Sequence, residues 1–399
     1  MKYFYFFINI ILKILYFFPK DKNIWIFGAW HGDRYSDNSR YFYEYLKEID
    51  YKKVRLIWIT KNKALLKRND IDEIYYNKSL KGIWYRLRAG VVFYTNGMQD
   101  FGELDLSYGS YVVALWHGMP LKKIYFASNK FLNTKSKFKK NLKIIKNKLY
   151  FRCHRDLSIV TSIETKEKLE KCFYLCKNNE FIISGQPRND ILVNNNLNCK
   201  VEDLIVNKNI LKYKKIITYM PTYRNIEKLK IKQEDRLESL LKNSMLRKIL
   251  EENNSILLIK LHYLMKIEEN KSNDRIILLN DSDVECTQKL LKVTDILITD
   301  YSSVFIDFVL QEEKSTIFYG YDSKEYLEED ETGLFYNYDE LVKNYLVKEE
   351  KELVNNIDKT LSNKKGNNEE LNKFFNKETY QMKNFSENIL RTLEKKLRI

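Results

Sequence analysis

Short runs rich in β-branched and aromatic residues alternate with longer charged stretches along almost the whole chain. NIWIFG (23–28), VRLIWIT (54–60), VVFYTNG (91–97), YVVALWHG (111–118), LSIVTS (157–162) and FIISGQ (181–186) form a first series. After a polar stretch around 194–213 the pattern resumes with KIITYMP (215–221), SILLIKLH (255–262), RIILLN (275–280), DILITD (295–300) and STIFYG (315–320). Strands separated by helix-length segments predict βαβ units with parallel sheets. Two such series predict two doubly wound α/β domains. The boundaries read as an N-terminal helix over 1–20, a first domain over 21–200, a second over 201–355 and a C-terminal helical segment over 356–399. The closing helix is expected over 377–397, where it can pack back on the first domain.

The first eighteen residues change the picture. From Tyr3 to Phe18 the chain is apolar and aromatic, interrupted by Asn9 and Lys13. This is short for a spanning helix, which needs about 20 apolar residues, and no small-residue cleavage site follows. Tyr and Phe rings suit the headgroup boundary of a bilayer, so the segment reads as a monotopic anchor or an apolar docking helix, with a single span as a further alternative.

Charge adds a second surface feature. The net charge is +15, and twelve Lys/Arg fall between Lys122 and Arg155 with no acidic residue from Asp105 to Asp156. Such a window attracts an anionic partner: nucleic acid, anionic lipid or a polyphosphate substrate. Within it Phe138, Leu142, Ile145 and Leu149 recur at helical spacing. Two readings stay open, a basic helix on a membrane surface and an ordinary helix with its apolar face in the core. The five cysteines (Cys153, Cys172, Cys176, Cys199, Cys286) are odd in number and show no CxxC pairing. That argues against a disulfide framework or a zinc site and fits a reducing compartment.

Candidate chemistry sits at the strand ends, because open α/β sheets bind ligands at the carboxyl edge of their strands. In the second series TYMPTYR (218–224), IKLHYL (259–264) and ITDYSSVFID (298–307) finish strands with Thr222 and Arg224, Lys260 and His262, and Asp300, Ser302 and Ser303. An Arg, a Lys, a His and a Ser-Ser pair opening a helix form a natural phosphate site. Asp307 lies one turn further, where it can orient Ser303 or accept hydrogen bonds from a hydroxylated ligand. In the first series a strand ends at Trp116-His117-Gly118. His117 is placed as a general base with a pKa naturally near neutrality, and Gly118 allows close backbone approach. Taken alone, such a histidine is more readily a satisfied, partly buried structural one. Lys122 and Arg188 are weaker acceptor- or phosphate-binding candidates. SDNS (36–39) reads as a helix N-cap cluster, and His31 and His154 have no assigned role. Three of the four prolines (Pro120, Pro187, Pro221) sit in these strand-end segments, which points to fixed turns at one edge.

The set WHGMPLKKI, GQPRND, YMPTYR, IKLHYL and DILITDYSSVFIDFVL, in this order, resembles the CDP-glycerol glycerophosphotransferase family of teichoic-acid and capsule polyol-phosphate primases and polymerases. YSDNSRYFYEYL and FYGYDSKEYL…GLFYNYDEL are similar to the family's flanking blocks, so the resemblance spans roughly 23–341. It implies a GT-B architecture, two Rossmann-like domains facing a cleft, the acceptor side N-terminal and the donor side C-terminal. His117 then inherits the role of base and His262 stands beside it as a second catalytic residue, while Arg224, His262, Ser302, Ser303 and Asp307 contact the donor phosphates and glycerol. The implied partners are CDP-glycerol or CDP-ribitol, an anionic polymer or lipid-linked acceptor, and the cytoplasmic face of the bacterial inner membrane, with no nucleic acid. No cofactor and no metal is expected, DSD (281–283) reading as a loop. Two departures bear on polyol specificity more than on the reaction: Tyr263 follows His262 where the family has proline, and Thr332 stands where an arginine is expected. The alternatives are a GT-B glycosyltransferase using a nucleotide sugar and, in a different class, a nucleic-acid binder.

Overall fold

The computed structural model describes residues 8–150, 155–173, 176, 179–194, 210, 212–261, 265, 274–280, 283–284, 286–363 and 365–399. His154, Cys153, Cys199, His262, Tyr263 and the first two residues of DSD lie outside them, as does most of the stretch expected to divide the domains. The chain forms two compact units. The first contains Met1–Met119, Tyr125–Asp190 and Gln381–Ile399; the second contains Pro120–Ile124 and Ile191–Tyr380. The first unit therefore closes at Asp190, and the C-terminal segment is divided, with 356–380 in the second unit and 381–399 in the first.

The first unit holds seven parallel strands: β1 (Asp21–Phe27), β2 (Arg55–Thr60), β3 (Ile74–Tyr76), β4 (Ala89–Tyr94), β5 (Tyr111–Ala114), β6 (Leu157–Val160) and β7 (Glu180–Ile183). Their order is β3-β2-β1-β4-β5-β6-β7. The continuous apolar runs bury both faces. Trp25, Phe27, Val91, Phe93 and Val113 pack on one side, and Ile24, Ile26, Ile57, Val92 and Val112 on the other. The closing helix, Phe385–Leu397, adds Ile389, Leu390 and Leu393 to the first of these clusters. It starts eight residues later than its sequence pattern predicts because Asn384 caps it, accepting from the Glu387 N–H at 2.9 Å.

The second unit repeats the plan with β8 (Lys215–Met220), β9 (Ser255–Lys260), β10 (Ile276–Leu279), β11 (Ile296–Thr299), β12 (Ser315–Tyr319) and β13 (Leu346–Val347), ordered β10-β9-β8-β11-β12-β13. All pairings between these strands are parallel. In both units the order reverses beside the first strand, between β1 and β4 and between β8 and β11. That switch point is where loops diverge to opposite faces and leave a crevice for a ligand. The edge strands β3 and β13 escape the sequence pattern because two or three residues carry no periodicity.

The Lys137–Tyr150 helix resolves one open reading. Phe138 (76% exposed), Leu142 (54%) and Ile145 (52%) lie in the open, so its apolar face is not in the core. In the N-terminal segment Asn9 is tied down, donating to Glu103 O and accepting from the Asp105 N–H, while Ile11, Ile14, Tyr16 and Phe17 are exposed. No described helix is long and apolar enough to cross a membrane.

Candidate active site

In the first unit the site is built around His117, just beyond β5. Trp116 (φ 57°) and Gly118 (φ 143°) both take positive φ, so the chain doubles back sharply and presents the imidazole at the strand edge. Only glycine adopts the second of these conformations without strain, which gives Gly118 a conformational role. The His117 ring is half-buried, and its Nδ1 lies 3.0 Å from Thr95 O. A carbonyl only accepts, so Nδ1 carries the proton and Nε2 of the neutral ring is the basic nitrogen. Burial pulls the His117 pKa below its ordinary value, Asp37 working against that shift and Arg188 with it.

A closed set of contacts holds the ring. Arg188 Nη1 donates to His117 O at 2.8 Å and to Asp37 Oδ1 at 2.9 Å. Asp37 Oδ2 accepts from Trp30 Nε1 at 3.1 Å, and the Trp30 ring lies 6.2 Å from that of His117. Trp30 N in turn donates to Thr95 Oγ1. Asn38 Nδ2 donates to Leu115 O and Trp116 O, and Asn38 Oδ1 accepts from Arg188 N. Beneath them Asp100, fully buried, accepts from the N–H groups of His31 (2.7 Å), Thr95 (2.9 Å) and Asn96 (3.0 Å). Burial raises the Asp100 pKa and these donors oppose it.

SDNS is thus more than a cap. Ser36 makes no side-chain cap bond, and Asp37 and Asn38 instead clamp the histidine loop. Arg188, expected as a phosphate ligand, is 9% exposed and grips Asp37 and the His117 carbonyl. Sequence reading missed Trp30, Thr95 and Asp100; Thr95 meets His117 from 22 and Trp30 from 65 positions away, and Asp100 meets His31 from 69. His31 is exposed, and its backbone is held at φ 56° by the Asp100 bond.

In the second unit Thr222, Arg224, Asp300, Ser302 and Ser303 meet at the β8/β11 switch point. Asp300 is fully buried and accepts from Thr222 N (2.9 Å), Thr222 Oγ1 (2.6 Å) and Tyr301 N (2.6 Å). Arg224 is also fully buried. Its guanidinium donates to Asp322 (2.8 and 3.0 Å), Asp300 (2.9 Å) and Thr222 O (2.6 Å). Burial works against that charge, and Asp300 and Asp322 outweigh it, so the pKa stands above the ordinary arginine value. The expectation of Arg224 as a planar phosphate clamp does not match this placement. Two carboxylates beneath the sheet edge compete for the guanidinium, and bringing it out would leave both buried and unpaired. Asp307 likewise points inward, 1% exposed, and accepts from Gln288 Nε2 at 3.1 Å.

Half-exposed at this edge are Thr222, Lys260, Ser302 and Ser303. Ser302 Oγ accepts from Val304 N at the start of the Val304–Phe308 helix. Lys122, from the short segment Pro120–Ile124 of the same unit, reaches Tyr326, which stacks on Tyr301.

The family model for CDP-glycerol:poly(glycerophosphate) glycerophosphotransferases matches residues 10–395. A teichoic acid poly(glycerol phosphate) polymerase of Bacillus spizizenii is 32% identical over 315 residues, 75% of this chain and 74% of the relative. A teichoic acid glycerol-phosphate transferase of Staphylococcus aureus is 28% identical, over 77% of each chain. Among solved structures, one of the wall teichoic acid polymerase TagF superposes over 100% of this chain and 97% of its own, with a TM-score of 0.73 and 23% identity. At that identity it shows the fold alone, a GT-B-type pair of Rossmann-like domains.

Proposed function

The chain belongs to the CDP-glycerol:poly(glycerophosphate) glycerophosphotransferase family, and from that premise we propose that it moves a polyol phosphate from a CDP-polyol to the hydroxyl end of a teichoic-acid-like or capsule polymer. The observation that carries the mechanism is the His117–Thr95 bond, which fixes the tautomer with Nε2 basic. Nε2 takes the proton of the acceptor hydroxyl. That oxygen bonds to the β-phosphorus of the donor while the bond from β-phosphorus to the bridging oxygen breaks, and CMP leaves with the electron pair. A lowered pKa keeps the imidazole unprotonated at neutral pH, as a general base requires.

Phosphoryl transfer asks chiefly for positioning and charge stabilisation. In the second unit Thr222, Ser302 and Ser303 hydroxyls and the Lys260 ammonium are the donor-binding groups, with His262 assigned to the same role from its motif. Asp300 and Arg224 act from below, holding the Thr222 and Tyr301 backbone in place, and Asp307 ties the Val304–Phe308 helix to Gln288. In the first unit Gly118 and Arg188 shape the histidine loop. The test is CMP release by purified protein offered CDP-glycerol, CDP-ribitol and a panel of UDP-sugars with membrane-derived acceptor. CMP from one CDP-polyol names the donor; turnover of a UDP-sugar with both CDP-polyols inert discards the reading. His117→Ala should lose on the order of 10²–10⁴-fold in turnover and still bind donor.

The proposal extends to a peripheral site of action on the cytoplasmic face of the membrane. Exposed Ile11, Ile14 and Phe17 and the uncovered face of Phe138, Leu142 and Ile145 support it, flanked by Lys137, Lys139, Lys140 and Lys143. Apolar insertion with basic flanks suits an anionic bilayer. Deleting residues 1–19 should release the protein to the soluble fraction. Retention would make the basic helix the main anchor or overturn the peripheral reading.

A further inference from the structure

The segment that follows His117 does not stay with the first unit. Pro120–Ile124 belongs to the second, where Lys122 pairs antiparallel with Leu334. Lys123 N donates to Gly333 O at 2.8 Å, and Phe335 N donates to Leu121 O at 3.0 Å. Five residues after the proposed base, the chain delivers a lysine to the carboxyl edge of the donor-side sheet.

The surroundings of that lysine are specific. Its ammonium lies 4.8 Å from the Tyr326 ring centre and bonds the Tyr326 hydroxyl. Tyr326 stacks on Tyr301 at 4.1 Å, and the Arg224 guanidinium sits 4.6 Å over the same ring. Through Tyr326, Lys122 is one ring removed from Tyr301, the first residue of the Tyr301–Ser303 turn. Its side chain is 32% exposed, whereas Arg224 is fully buried and engaged with two carboxylates. Its counter-ion is loose: Asp330 Oδ2 is 3.5 Å away, while Asp330 Oδ1 is engaged by Thr332 N and Oγ1. Asp330 Oδ2 has no hydrogen-bond donor of its own. Burial lowers the Lys122 pKa and Asp330 raises it.

We propose that Lys122 is a donor-phosphate ligand of the second unit, and that Asp330 competes with the phosphate for it. The inference rests on the family reading above and adds a residue, with its regulator, to that site. A compact ammonium at the edge of an aromatic shelf suits a phosphate as a point charge. The anchored backbone of 121–123 holds it there. Tyr326 limits the rotamers of the long side chain, which cuts the entropy cost of binding. The carboxylate at 3.5 Å is a partner that a phosphate oxygen has to share or displace, so Asp330 sets a cost on donor binding.

The test is calorimetric titration of CDP-glycerol and CDP-ribitol into the full chain. Lys122→Met should weaken donor binding by about tenfold to hundredfold, the range of a charged hydrogen bond, and Lys122→Arg should restore most of it. Asp330→Asn should leave binding unchanged or tighten it, because it removes the competitor. Thermal melts confirm that each variant is folded. If Lys122 is only a strut, Asp330→Asn and Tyr326→Phe weaken binding in parallel with Lys122→Met, and the proposal falls. Equal binding by folded Lys122→Met and wild type also overturns it. Wild type that binds neither CDP-polyol overturns the family reading of the site itself.

Discussion

Replacing Arg224 with methionine separates two roles that the sequence leaves merged. If the guanidinium is a phosphate ligand, Arg224→Met weakens donor binding and leaves stability nearly untouched. The structure dictates a large loss of stability first, with any loss of donor binding following from the disturbed Thr222 turn. Arg224 is fully buried between Asp300 and Asp322 with separations of 2.8–3.0 Å. Removing it leaves two carboxylates uncompensated in the interior. Breaking a buried pair from one side costs about 3–5 kcal/mol, out of a total stability on the order of 5–15 kcal/mol for a domain. With roughly 2–4 °C per kcal/mol for a unit of this size, the second unit should melt about 6–20 °C lower. Arg224→Lys should recover little, since an ammonium cannot reproduce the planar fork that reaches both acids. Urea denaturation followed by tryptophan fluorescence would miss the second unit, which has no tryptophan; circular dichroism or scanning calorimetry reads it directly. A folded Arg224→Met protein with unchanged melting temperature and lost CDP-glycerol binding would refute the argument and restore Arg224 as a phosphate ligand.

The other expectations concern the histidine loop and the closing helix. The rate should fall on the acid side as His117 protonates; Asp37 raises that pKa, so Asp37→Asn should move the acid limb of kcat/KM to lower pH. Asp190 caps the Phe385–Leu397 helix through Phe385 N, Ser386 N and Ser386 Oγ, and burial raises its pKa to about 7. Its folded pKa exceeds its unfolded value near 3.9, so its contribution is full below about pH 4 and lost as pH rises through about 7. Melting curves across that window should show the slope in wild type and lose it in Asp190→Asn. A Cβ at Gly185 (φ 78°) would collide with the Phe385 ring, and Gly185→Ala should cost on the order of 1–3 kcal/mol, read by calorimetry as a lower melting temperature of the first unit.

The strand series was legible because strands buried on both faces leave unbroken apolar runs that no helix period imitates. Unit boundaries were not, since the return of 381–399 to the first unit is fixed by Ile389, Leu390 and Leu393 packing against β-strand residues more than 200 positions earlier. Asp37 and Asn38 illustrate the same limit: the tetrad SDNS specifies a helix start locally, and its partners Arg188 and Leu115 are known only once the sheet is assembled.

By itself, then, the sequence determined two doubly wound units, the strand ends that carry chemistry, and, through ordered motifs, the family. Tertiary structure decided which way those side chains point. Arg224 and Asp300 turn inward because each is the other's compensation for lost hydration, and neither residue type reveals that choice alone. Lys122 moved the other way, from one of twelve basic residues in a window to a defined place beside Tyr326. The physical reason is common to both. Charge is a local property of the chain, whereas its energy depends on burial and on counter-charges that folding brings from distant positions.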